Sequence, residues 1–214
     1  MSMYIYAFGS VCRGEVSEDS DVDLLAIVDG RDERFNPEVF SIYSPGRMQS
    51  LWHEGNPFAW HLALEARLLF STEPTDLLSC LGRPSRYQKC AEDCAKFANL
   101  FDEAHRSLKA QESSTVFNLS MAFLSIRNLA TCFSLGFTDR PTFSRRSALK
   151  LGRDSVPLSE QAYEVLERAR VLCTRGYGPG LMAAETHATL GEFPAVKQWM
   201  IDLLRRVQEN ERVQ

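Results

Sequence analysis

Eighteen residues near the amino end, Phe8 to Leu25 with the sequence FGSVCRGEVSEDSDVDLL, constrain the fold of this chain more than any other stretch. A run of β-branched and aromatic residues, MYIYAF over 3–8, ends at Gly9-Ser10 and reads as a strand entering a turn. Ten residues later Asp21-Val22-Asp23 opens a second strand, and the run VDLLAIV over 22–28 is apolar enough after Asp23 to be covered on both faces. Side chains alternate along a strand, so Asp21 and Asp23 share one face and Val22 and Leu24 the other. Two carboxylates held side by side repel unless a cation lies between them, and hard oxygen donors suit magnesium or manganese. Gly9 lets a backbone approach a phosphate with no Cβ in the way, the Ser10 hydroxyl donates to its oxygens, and Arg13 stands near enough to offset its charge. These parts describe a site for a metal-bound nucleoside triphosphate, with Asp21 and Asp23 as metal ligands.

The rest of the front third continues an α/β pattern. EVFSIY over 38–43 predicts a third strand, Ser44 and Pro45 predict a helix start, PFAWHLALEARLL predicts a second helix, and RLLFS a closing strand. After Pro74 the periodicity becomes helical, with turn residues between long amphipathic runs. The expected architecture is a small mixed α/β (α+β) domain over residues 1–73, followed by an all-α bundle over 84–214. Charge divides the same way. Residues 1–73 hold 5 Lys and Arg against 12 Asp and Glu, a net −7, while the remainder is +3. An acidic front half suits a divalent cation and argues against long nucleic acid as the main partner. The opening MSMYIYAFGS lacks the basic start and apolar run of a secretory signal, which leads to the expectation of a cytoplasmic protein. Val116 to Phe137 is mainly apolar but carries Asn118, Arg127 and Asn128, so it is expected to be a buried helix and no membrane span. Six cysteines without a C-x-x-C pair read as small buried side chains.

The pattern of Gly9, Ser10, Arg13, Gly14, Ser20, Asp21 and Asp23 resembles the minimal nucleotidyltransferases of the DNA polymerase β superfamily, whose signature is Gly-Ser, ten residues, then Asp-x-Asp. The resemblance covers residues 3–71. It implies transfer of a nucleoside monophosphate from a triphosphate, with ATP the expected donor, to an acceptor hydroxyl. Gly9, Ser10 and Arg13 would bind the nucleotide. The family also places a third carboxylate on the adjacent strand as general base. In EVFSIY the mid-strand position is Ser41 and the acid at hand is Glu38, which is therefore the expected third catalytic residue, with Asp29, Asp32 and Glu65 as alternatives. Without a third acid the chain would be a catalytically weak nucleotide-binding protein acting by contact, in the manner of an antitoxin.

The helical half bears a partial resemblance to HEPN bundles, carried by FLSIRNLATCFSLGF, and the two-part organisation resembles that of aminoglycoside nucleotidyltransferases. That resemblance implies an acceptor that is a small hydroxylated molecule or a partner protein, and a homodimer. Arg127-Asn128 lacks the His that ribonuclease forms carry four to six residues on, and reads first as a buried polar pair. His53 and His61 beside Trp52 and Trp60 line either a packed helix pair or a base pocket. The basic run Arg140, Arg145, Arg146, Lys150 and Arg153 is either a solvated loop or a surface that steers triphosphate.

Overall fold

The computed structural model describes residues 2–16, 22–30, 32–111 and 114–211, and the chain divides into two compact units, Met1–Gln88 and Lys89–Gln214. Asp21 and Ser20 lie outside the described residues.

In the first unit a mixed four-stranded sheet runs in the order β3-β2-β1-β4, with β1 (Met3–Phe8), β2 (Asp23–Val28), β3 (Phe40–Tyr43) and β4 (Arg67–Ser71). β1 pairs antiparallel with β2 and β4, and β2 pairs parallel with β3. The register sets two faces. Tyr4, Tyr6 and Phe8 stand opposite Ile27, Leu25 and Asp23. This face packs on Met48, Leu51 and Trp52 of α1 (Pro45–His53), Ala59 and Leu62 of α2 (Pro57–Glu65) and Leu78 of α3 (Leu77–Leu81). The reverse face packs Ala26 and Val28 against Phe35, with Met3, Ile5 and Phe40 beside them. Leu25 to Val28 are therefore buried on both sides, as an unbroken apolar run requires.

Local chemistry starts the first two helices where the sequence marks them. Ser44 caps α1 by accepting from the Arg47 N–H at 3.1 Å, and Asn56 caps α2 by accepting from the Phe58 N–H at 2.9 Å, with Pro following each cap. Strand β3 begins at Phe40, two residues later than the apolar pattern suggests. Asn36 explains the delay: its side chain accepts from the Glu38 N–H at 3.0 Å and its carbonyl from Val39 and Phe40, so residues 37–39 form a turn.

Residues 74–88 belong to the first unit. The Trp52 and Trp60 indoles donate to the Gly82 and Ser85 carbonyls at 2.9 and 3.0 Å, and Tyr6, 1% exposed, fastens α3 to the sheet. Its hydroxyl donates to Asp76 at 2.7 Å and accepts from the Leu78 N–H at 3.2 Å. Burial pushes the Tyr6 phenol well above its ordinary value. Burial also raises the Asp76 carboxyl, but bonds from Tyr6 and Ser79 outweigh it and hold the group below its ordinary 3.8. A carboxyl depressed on folding adds stability that is fully present above its unfolded pKa and is lost as pH falls through the folded value. Tyr6→Phe should therefore destabilise the first unit by about 1.5–3 kcal/mol at neutral pH, the range for a hydrogen bond to a charged group, with the difference shrinking below pH 3.8. Denaturant melts of both proteins at pH 7 and pH 3 would check it.

The second unit is all-α: α4 (Cys90–Ala110), α5 (Thr115–Phe137), α6 (Glu160–Arg175) and α7 (Ala183–Glu211), with two single-turn 3-10 helices at Ser147–Leu149 and Gly152–Asp154. Helix α5 is long and apolar enough to cross a membrane by length and composition, yet 67% of its most apolar stretch is buried within the protein. Helix α7 starts well before Glu192 and runs through Pro194, because Phe193 and Val196 are fully buried and their packing outweighs the lost backbone bond.

Candidate functional site

β1 runs out at Phe8, and Gly9 turns the chain with φ +79°, in the left-handed region. The turn is closed by its own backbone. Arg13 N–H donates to the Gly9 and Ser10 carbonyls at 3.3 and 3.2 Å, and Glu15 N–H to Ser10 at 2.9 Å. Asp23, the first residue of β2, stands opposite Phe8 and lays its carboxylate over Gly9: a Cβ on Gly9 would lie 2.1 Å from Asp23 Oδ2. Glycine is thus needed twice, for its backbone angle and for the space the carboxylate fills. The exposed Asp23 and the half-buried Ser10 meet at one end of the sheet.

Helix α2 reaches the same end. Arg13 donates through Nε to Glu15 at 2.8 Å and through Nη1 to Glu65 Oε2, and the same Glu65 oxygen is 2.8 Å from His61 Nε2. The His61 ring meets Phe8 edge-on at 5.5 Å. Burial pulls the Arg13 guanidinium down, but the two carboxylates more than offset it and hold it above its ordinary value. Sequence reasoning kept Glu65 as an alternative base and His61 as a pocket or packing residue. Their spacing of four on one helix was the available signal that they touch.

The other acids lie outside this cluster, with Glu38 nearest in register, since Phe40 two residues on pairs with Leu24 next to Asp23. Glu38 is exposed in the turn before β3. Within β3 the residues on the Asp23 face are Ser41 and Tyr43, which pair with Leu25 and Ile27. Asp29 lies past the far end of β2, six residues and roughly 20 Å along the strand direction from Asp23. Asp32 is held below its ordinary value by side-chain and backbone bonds from Arg34, so it serves its own loop. Both indoles hold the 82–85 segment, Arg83 stacks over Trp60 at 4.9 Å, and His53 is exposed at the end of α1. The WHEGNPFAWHL segment thus packs as a helix pair.

In the second unit Arg127 donates to the Phe143 carbonyl at 3.0 Å and to Asn128 at 3.3 Å, tying α5 to the following loop as a satisfied polar pair. Arg146 pairs with Glu160 and Glu167, and Arg145 with Glu167, so part of the basic run is spent on α6. The hydrogen bond with the neighbouring Cys90, and after it burial, push the Cys94 thiol far up, as for an inert core cysteine.

Among the described residues no group of three His, Cys, Asp or Glu gathers as a metal cage. Magnesium usually takes one or two carboxylates and leaves its other positions to water and substrate phosphates, and the Asp23 carboxylate at the sheet end is of the type that fits that use. Residues 4–83 match the model of the family described as nucleotidyltransferase domain. The match covers the sheet, the Gly9 turn and helices α1 to α3, and it supports a place for this part of the chain in the nucleotidyltransferase superfamily, whose domains generally use magnesium. A search of the curated proteins returns no match.

Proposed function

We propose that the first unit transfers a nucleoside monophosphate from a magnesium-bound triphosphate, ATP in the first instance, to a hydroxyl on a small molecule or a protein. The observation that carries this reading is the Asp23 carboxylate seated on the left-handed Gly9 turn, within the segment that matches a nucleotidyltransferase domain. In the reaction the acceptor oxygen bonds to the α-phosphorus, the bond to the β-phosphate oxygen breaks, pyrophosphate leaves with the electron pair, and the hydroxyl proton passes to a base. Asp23, with Asp21, would hold the metal, which when bound offsets charge on the attacking and leaving oxygens. The Gly9-Ser10 turn grips phosphate, Arg13 supplies positive charge beside it, and Glu38 is the proposed base.

One observation favours a second reading, a nucleotide-binding protein with weak catalysis that works by contact. The residues of β3 on the Asp23 face are Ser41 and Tyr43, neither of them a carboxylate, and Glu38 stands in a turn before the strand. Pyrophosphate release from ATP and magnesium, assayed over a broad acceptor panel, separates the two. The expected result is release that Glu38→Gln lowers by about 100- to 10,000-fold, the usual contribution of a general base, while triphosphate affinity holds. Binding without release would favour the contact reading, and full activity in Glu38→Gln would remove Glu38 from the mechanism.

A further inference from the structure

The geometry points to Glu65 as a positioning residue for the triphosphate: it grips Arg13 from helix α2 and, with Glu15 on the other flank, leaves the Nη2 group of that guanidinium for phosphate at the Gly9 turn. This role rests on the nucleotidyltransferase reading of the first unit. An Arg side chain is long and costs rotational freedom when a ligand must order it, so a side chain ordered beforehand binds more tightly. The backbone bonds of the 9–15 turn do not order it. Two carboxylates do, Glu15 on Nε at 2.8 Å and Glu65 on Nη1. The two bonds lie on opposite flanks of the planar fork, since Nε–H points away from the Nη1 side, and the Nη2 donors at the tip between them lie outside that grip.

Glu65 is itself held. Its side chain is 11% exposed, and the oxygen that accepts from Arg13 also meets His61 Nε2 at 2.8 Å. His61 in turn packs edge-on against Phe8, the residue before Gly9 and the strand partner of Asp23. Helix α2 therefore braces the turn on both sides, at Phe8 before it and at Arg13 within it. A carboxylate beside Arg13 also weakens its pull on phosphate, so charge and position act in opposite directions at Glu65. Glutamine separates them, since it keeps an acceptor for Arg13 and loses the charge.

Calorimetry on the full chain with magnesium-ATP, and with adenosine as the phosphate-free probe, tests the role. Arg13→Ala should weaken magnesium-ATP by roughly 10- to 100-fold, the loss of a charged hydrogen bond. Glu65→Ala should weaken it by about fivefold to tenfold as Arg13 loses its order, and the double variant should bind no worse than Arg13→Ala, because coupled residues do not add. Glu65→Gln should stay within about threefold of the unaltered chain, and adenosine should be indifferent to all four changes. Should Glu65→Ala not fold, Glu65→Met takes its place, with similar volume and no acceptor. Unchanged magnesium-ATP affinity in the Ala or Met variant, or a double variant weakened by the product of the single losses, overturns the positioning role alone. An unaltered chain that binds ATP no tighter than adenosine overturns the nucleotidyltransferase reading and this role with it.

Discussion

Asp23→Asn should lower nucleotidyl transfer by roughly a thousandfold, the factor that about 4 kcal/mol of lost transition-state stabilisation produces. The amide keeps the size and the seat over Gly9 but loses the charge that holds a hard cation at the sheet end. Folding should not suffer. Asp23 opens a strand within residues 1–73, where 12 acids stand against 5 bases, so removing its charge relieves net repulsion and leaves the melting temperature unchanged or raised. Pyrophosphate release and magnesium-dependent calorimetry, read beside a thermal melt, give the three values needed. Full turnover in Asp23→Asn would contradict the assignment, and loss of the fold would make Asp23 a structural residue.

Gly9→Ala should damage the same site from the other side. Its Cβ would stand 2.1 Å from Asp23 Oδ2 on a backbone at φ +79°, so the carboxylate must leave its seat and the turn must bear a strained angle. Strain at a left-handed non-glycine residue and steric overlap each cost about 1–3 kcal/mol, giving a destabilisation of roughly 2–6 kcal/mol together with loss of triphosphate binding. A double-mutant cycle separates the two costs. In an Asp23→Ala background the overlap is gone, and Gly9→Ala should then cost only the backbone strain. Equal costs in both backgrounds would mean that the carboxylate does not sit on the turn.

The sheet was legible because its strands carry their own pattern. MYIYAF ends on a glycine that must adopt a left-handed angle, and β2 is apolar at successive positions because both of its faces are covered. Helices α1 and α2 were legible from Ser44-Pro45 and Asn56-Pro57, which are caps with a physical mechanism. Where tertiary contacts decide, the pattern misled. The start of β3 depends on an Asn36 turn that shortens an apparently continuous run, and it leaves Glu38 outside the strand. Residues 74–83 looked like a linker because TEPTD and GRPS break periodicity, yet Tyr6 and two indoles fasten the 76–85 stretch to the first unit through bonds that no local pattern announces. The Arg13–Glu65 pair spans 52 residues, so the tie between the phosphate turn and α2 could not be read from either segment alone.

The most direct test of the account follows label position in ATP. With magnesium and a reactive acceptor, label at the α-phosphate should move to the acceptor while label at the γ-phosphate leaves in pyrophosphate, and neither should move in Asp23→Asn. Transfer of the γ-label to the acceptor, or equal transfer of the α-label by the Asp23→Asn protein, would contradict nucleotidyl transfer at the Gly9–Asp23 site.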